Sequence, residues 1–238
     1  MSDPLVFDKV ALGVLRRRTV APFETGEQVG DPGFTLTVHA AEVVVALGDE
    51  SSGVGTLGSV ILGLVQPPLG SCRVFGVDLS TLSRRDRLNY RRRIGYLPVG
   101  DGLLHNLTLR DNVRLPLRFG SDLGVEEIEN RTDTLLDRLK LRRFGGLRPA
   151  DANEEERRRA ALGRALAFDP ALLVLEEPFA GLTDQAAVEL MAVARGDTGM
   201  VRGQRTVFIS GQSLPSLLHP EVDRAIHVVR GQALERPE

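Results

Sequence analysis

The spacing of apolar residues changes several times along the chain, and each change predicts an element. "LVFDKVALG", "FTLTV" and "EVVVAL" alternate or run continuously apolar, predicting strands at about 5–14, 34–39 and 42–47. Beyond "ALGDESSGVG" the apolar positions recur every three to four residues, predicting a helix from about 53 to 65. "QPPLGSC" reads as a turn, "CRVFGVDLS" as strand and turn, "SRRDRLNYRRR" as a basic helix and "IGYLPV" as a short buried strand. Helical spacing then fills the middle, from "TLRDNVRLPLRFG" through "VEEIENRTDTLLDRLKL". "NEEERRRAALGRALAF" continues as a further helix, and the unbroken apolar run in "PALLVLEEP" suits a central parallel strand. A helix near 184–195, the buried strand "RTVFIS", then "RAIHVV" and one more short strand complete the order.

Strands alternating with helices predict an α/β fold of βαβ units on a parallel sheet, in a single domain spanning 1–238. Core elements fall at about 1–100 and 166–238, with an inserted helical lobe at about 101–165. Residues 16–33 are polar and contain Pro and Gly, as a surface connection would.

Composition narrows the class. Over 238 residues, 42% hydrophobic and 26% charged content supports a packed core, and a net charge of −2 supplies no field favouring nucleic acid, which is not an expected partner. The lone cysteine, Cys72, excludes an internal disulfide and suits a reducing compartment. "MSDPLVFDKV" lacks a charged segment followed by an apolar one, so no secretory signal is expected. No apolar run approaches the roughly 18–20 residues that cross a bilayer, so a membrane connection is expected only through a partner.

The chemistry centres on "ALGDESSGVGTL", which joins a strand to a helix. Gly48 and Gly53 have the spacing of a phosphate-cradling loop, in which backbone N–H groups and a helix N-terminus receive the anion. Where such a loop carries lysine there is Val54, and Asp49 and Glu50 lie inside it.

The order of this loop, "RRRIGYLPVGDGLLHNLTLRDNV", "NEEERRRAALGRALAFDPALLVLEEPFAGLTD" and "TVFISGQSL" resembles the ATP-binding subunits of ABC transporters over residues 34–235. The resemblance implies a P-loop NTPase-like parallel-sheet core with an antiparallel β edge. "GLLHNLTLRDNVRLPLR" is similar to the branch serving MCE-type lipid transporters.

Carried over position by position, the resemblance implies a degenerate phosphate loop made of Gly48, Ser52, Gly53, Val54, Gly55 and Thr56. Gly55 stands where the magnesium-ligating hydroxyl is expected, and Thr56 keeps the second hydroxyl. Glu176 takes the place of the magnesium-coordinating acid, and its longer arm keeps it a candidate metal ligand. Glu177 is a remnant of the carboxylate that polarises water, and Gln212 stands at the switch-histidine position. Val99 falls at the magnesium-touching glutamine, and Thr183, one place before Asp184, at the acid of the loop shared between subunits.

The family's signature segment becomes Ala152, Asn153, Glu154, Glu155 and Glu156, degenerate at Asn153, Glu154 and Glu155. As a helix start it is well made, with Asn153 as N-cap and Glu156 as capping-box partner. The same acids would face a triphosphate carried by an opposite subunit. A charge-assisted hydrogen bond is worth about 1.5–3 kcal/mol, and a unit charge pair at 4 Å about 4 kcal/mol at an effective dielectric of 20. Losing one attraction and gaining repulsion therefore predicts ATP and magnesium bound weakly or not at all. The expected molecule is a pseudo-ATPase with a structural or regulatory role, peripheral on the inner face of a membrane. Its expected partners are permease subunits, met through the helical lobe, and a second cassette, identical or different.

Two other readings stay open: a slow ATPase using Glu176, Glu177 and backbone N–H groups, and an interaction module freed from any transporter. Phe23 is the candidate base-stacking aromatic, and His39, His105, His219 and His227 lack metal-ligand spacing.

Overall fold

The computed structural model describes residues 2–12, 33–197 and 203–229, and the backbone of 232–235. Phe23 and nearly all of the expected 16–33 connection lie outside the described residues. In chain order the elements are β1 (Leu5–Ala11), β2 (Phe34–Val38), β3 (Val43–Leu47), α1 (Leu57–Ile61), β4 (Leu69–Val74), α2 (Arg84–Arg91) and β5 (Ile94–Leu97). They continue with α3 (Leu109–Gly120), α4 (Val125–Arg138), α5 (Glu154–Leu166), β6 (Leu172–Glu176), α6 (Asp184–Arg195), β7 (Thr206–Gly211), β8 (Arg224–Val229) and β9 (Gln232–Glu235).

Two sheets result. The larger has the order β5-β6-β7-β3-β8-β9, parallel throughout except for β9, which runs antiparallel to β8. The smaller, β2-β1-β4, is antiparallel. The central strands are apolar on both sides because both faces are covered. Val43 and Val45 of β3, Leu173 and Leu175 of β6, and Val207 and Ile209 of β7 join a core with α3, α5 and α6. Their alternates Val44, Ala46, Leu172, Val174 and Phe208 pack with α1 and the small sheet. Phe7 of β1 bridges the layers, its ring centroid 5.2 Å from Phe34 and 5.9 Å from Phe208.

Helices α3, α4 and α5 lie between β5 and β6 in the chain. Asn112, fully buried, fastens the approach to α3 by accepting from Leu104 N at 2.8 Å and donating to Leu104 O and Thr108 O.

Two expectations need correction. The helix expected at 53–65 is only α1, preceded by 3-10 turns at Glu50–Ser52 and Val54–Thr56. It stops early because Gly63 adopts φ +61°, Gly63 N bonds Val60 O, and Leu64 N bonds Ser59 O. That pair of bonds around a left-handed glycine is a Schellman end, which closes the helix although the apolar spacing runs on. The turn expected in "QPPLGSC" is already strand at Leu69, because pairing with β1 brings Leu69 opposite Ala11.

Candidate functional site

The C-terminal ends of β3, β6 and β7 meet the loop after β3 and enclose a cavity of about 260 Å³. Residues 53–56, Val99 and residues 210–212 line it together with four acids, Asp49, Glu50, Glu176 and Glu177. No Lys, Arg or His is among its described lining residues.

The loop is shaped by its own side chains. Gly48 donates to Gly211 O at 3.0 Å, and a Cβ at Gly48 would stand 2.4 Å from Ser52 Oγ, so a residue with a side chain has no room there. Ser52 Oγ donates to Asp49 O and accepts from Val54 N, while Thr56 Oγ1 donates to Gly53 O at 2.7 Å. Gly53 turns the chain at φ +85°. Asp49 folds back as well. Ser51 Oγ donates to its carboxylate at 2.7 Å, and this bond, with the Ser51 and Ser52 amides, holds its pKa below the usual value. The loop's first donors are thus directed at a carboxylate the loop supplies itself. The sequence signal for this was Asp-x-Ser-Ser, an acid able to cap the turn that follows it.

Val54, at the lysine position, is only 5% exposed and packs in the core beneath the loop with Leu57 and Ile61. Gly55 is the opposite case, since a Cβ there would meet no atom within 4 Å.

Glu176 ends β6 and is 4% exposed. Its Oε2 accepts from Tyr96 Oη at 2.8 Å and from Val99 N at 3.3 Å. Oε1 is buried against the Cα of Gly58, where a Cβ would come within 2.2 Å. Burial raises the Glu176 pKa, with the Tyr96 and backbone donors acting the other way, and burial with the neighbouring carboxylate raises that of Tyr96. The extra methylene of Glu relative to Asp therefore fills the place of a missing methyl at Gly58, and the carboxylate ties β6 to β5 and the segment after it. Sequence reasoning found Glu176 but missed Tyr96 and Gly58.

Glu177, next along the chain at φ +46°, accepts through Oε1 from Gln212 N at 2.7 Å. Gln212 therefore meets Glu177 through its backbone, and its side chain is exposed. Val99 is 62% exposed, and its backbone N–H rather than its side chain reaches the site.

The start of α5 lies apart from this cavity. Asn153 Oδ1 accepts from Glu156 N and Glu156 Oε2 from Asn153 N, both at 2.9 Å, which is the expected capping box. The acids do not stand unpaired. Glu154 is bonded by Arg157 and Arg158, and Glu155 by Arg159 at 2.8 Å. Arginine about one turn on pairs with each, so Glu154 and Glu155 stand in a ladder of ion pairs. Thr183 is the N-cap of α6, accepting from Ala186 N, with Asp184 in the first turn.

Among the described residues no group of three or more His, Cys, Asp or Glu is arranged to hold a metal ion. His39 meets Asp3 at 2.9 Å, His105 and His219 are exposed, and His227 lies in β8.

Comparison with known proteins gives a consistent result. The family model described as ABC transporter matches residues 32–180. An uncharacterized ABC transporter ATP-binding protein of Mycobacterium tuberculosis is 30% identical over 82% of this chain, which spans 58% of that relative's length. The lipopolysaccharide export system ATP-binding protein LptB of Escherichia coli is 29% identical over 76% of this chain and 74% of its own. Among solved structures, a post-hydrolysis dimer of the ATP-binding cassette MJ0796 bound to ADP and Pi superimposes with a TM-score of 0.79 at 22% identity, covering 98% of this chain and 97% of that one. The protein cbiO1 of Clostridium perfringens, part of the ABC transporter complex cbiONQ, gives 0.79 at 18% identity, over 98% of this chain and 88% of that one.

Proposed function

The chain belongs to the ABC transporter family, and from that footing we propose that it is a degenerate cassette, a structural or regulatory subunit of a membrane transporter with little or no ATP hydrolysis. The observation that carries this reading is the cavity at the phosphate loop, walled by four carboxylates and no basic side chain. A magnesium triphosphate does not fit these residues. The lysine position is a core valine, the Thr56 hydroxyl is spent on Gly53 O, and Asp49 draws on the loop's own donors. Glu176, the candidate metal ligand, has one oxygen bonded to Tyr96 and Val99 and the other buried.

Its partners in this reading are permease subunits, met through the helices at 101–165, and a second cassette. No helix among the described residues is long and apolar enough to cross a membrane, which accords with a subunit held at the inner face by such partners. The likeness to LptB favours a lipid-handling transporter, in line with the MCE-type branch.

One observation favours slow hydrolysis instead: Glu177 keeps its place beside the cavity, held by Gln212 N at 2.7 Å. Calorimetric titration of the folded protein with ATP and magnesium separates the readings. The proposal expects no heat of binding at micromolar concentrations, and recovery of binding in the Val54→Lys, Gly55→Ser double variant, whose serine meets free space. Micromolar affinity in the unmodified chain would overturn it.

A further inference from the structure

The acidic cavity is not the largest concavity of the molecule. A cleft of about 820 Å³ opens at the other end of the parallel sheet, beneath the starts of β5, β6 and β7. Its lining carries four arginines, Arg93, Arg138, Arg195 and Arg205, and two acids, Asp3 and Asp169. The charge pattern is therefore the reverse of that at the phosphate loop.

The partners of each group show which charges remain available. Arg205 is fixed at the wall by Pro170 O at 3.0 Å, Ala194 O at 2.7 Å and Asp169. Arg195, 7% exposed, lies between Asp197 and Glu221, and its buried Nε has no acceptor among the described residues. Asp3 is engaged with His39. Arg93 and Arg138 are exposed and have no carboxylate partner among the described residues. The Arg93 guanidinium lies over the Phe75 ring, its Cζ 4.0 Å from the centroid, a contact that orders it without neutralising it.

We propose that this cleft binds a small soluble anion carrying phosphate or carboxylate groups, gripped by Arg93 and Arg138. Guanidinium forks match the paired oxygens of both groups, and stacking on Phe75 reduces the freedom Arg93 loses on binding. The volume lies within the roughly 300–1,000 Å³ typical of small-molecule pockets. A concave site fits a soluble ligand better than a bilayer surface, which reaches only the rim.

The test uses the full chain and inorganic pyrophosphate as probe, in calorimetry at fixed ionic strength. The expected result is saturable binding that falls at least tenfold in the Arg93→Ala, Arg138→Ala double variant. The Arg84→Ala, Arg85→Ala variant removes the same charge from exposed positions of α2 and keeps full binding. The Arg84→Ala, Arg85→Ala variant is expected to unfold at the temperature of the parent. The Arg93→Ala, Arg138→Ala variant is expected within about 4 °C of it, since the contact its exposed side chains lose among the described residues is the stacking of Arg93. Equal losses in the two variants would reduce the effect to general electrostatics and overturn the proposal. So would the absence of saturable binding. Arginine-dependent pelleting with phosphatidylglycerol vesicles, without response to pyrophosphate, would also overturn it by assigning the charges to a lipid headgroup.

Discussion

Replacing Gly58 with alanine tests the reading of Glu176 as a latch. The new methyl would lie 2.2 Å from Glu176 Oε1, 3.0 Å from its Cδ and 2.9 Å from Tyr96 Cε2, so both side chains must shift. Overpacking of this kind costs about 1–3 kcal/mol. Displacing the carboxylate from Tyr96 Oη adds the loss of a hydrogen bond to a charged group, about 1.5–3 kcal/mol. Alanine returns up to about 1 kcal/mol over glycine within α1. The net expectation is a loss of about 1.5–5 kcal/mol. For a chain of this size each kcal/mol moves the melting temperature by about 2–4 °C, so calorimetry should show a fall of roughly 3–20 °C.

Glu176→Asp alone draws the carboxylate back by one methylene and loses the same bonds without a clash. In the double variant the shorter acid vacates the volume that alanine fills, so those bonds are lost once rather than twice. A double-mutant cycle should therefore give a coupling close to the full cost of Gly58→Ala, about 1.5–5 kcal/mol in favour of the pair, with the double variant close to Glu176→Asp alone. Additivity within about 0.5 kcal/mol would refute the account of Gly58 and Glu176 as one packing unit.

Asn153→Ala removes the acceptor for Glu156 N and should cost about 0.5–2 kcal/mol in chemical denaturation, with no change in the slope against denaturant. Glu189 meets Lys140 Nζ and Arg159 Nη2, each at 2.8 Å, and these hydrogen bonds lower its pKa from 4.5 to about 2. A depressed folded-state pKa stabilises fully above the unfolded value and loses that contribution as the pH falls through the folded one. Acid unfolding of the parent should therefore include a component between about pH 4.5 and 2 that Glu189→Gln removes.

Much of the fold was legible because local signals agreed with the final packing. The unbroken apolar run at Leu172–Glu176 announced a central strand covered on both faces, and Asn153 with Glu156 announced a helix start. The end of α1 was not legible from periodicity, because Leu62, Leu64 and Val65 continue the apolar spacing while Gly63 stops the helix through backbone angle alone. Within the site, the missing lysine could be read directly from Val54. The Gly58, Tyr96 and Glu176 unit could not, because parallel pairing of β5 with β6 is what brings residues 80 positions apart within hydrogen-bond reach. The ion-pair ladder at α5 was written in "EEERRR", but treating the acids as charges facing outward left out the arginines one turn away.

Val54 has one more consequence. In a phosphate loop built around lysine, that side chain reaches out to the bound anion. In this chain the same position is an anchor, driven into the interior like a peg, and Asp49 closes the turn from above. The loop is braced by its own side chains. Under the proposed function, such a subunit would present its neighbours with the same rigid face whether the cell is rich or poor in nucleotide, a fixed bearing beside whichever component turns.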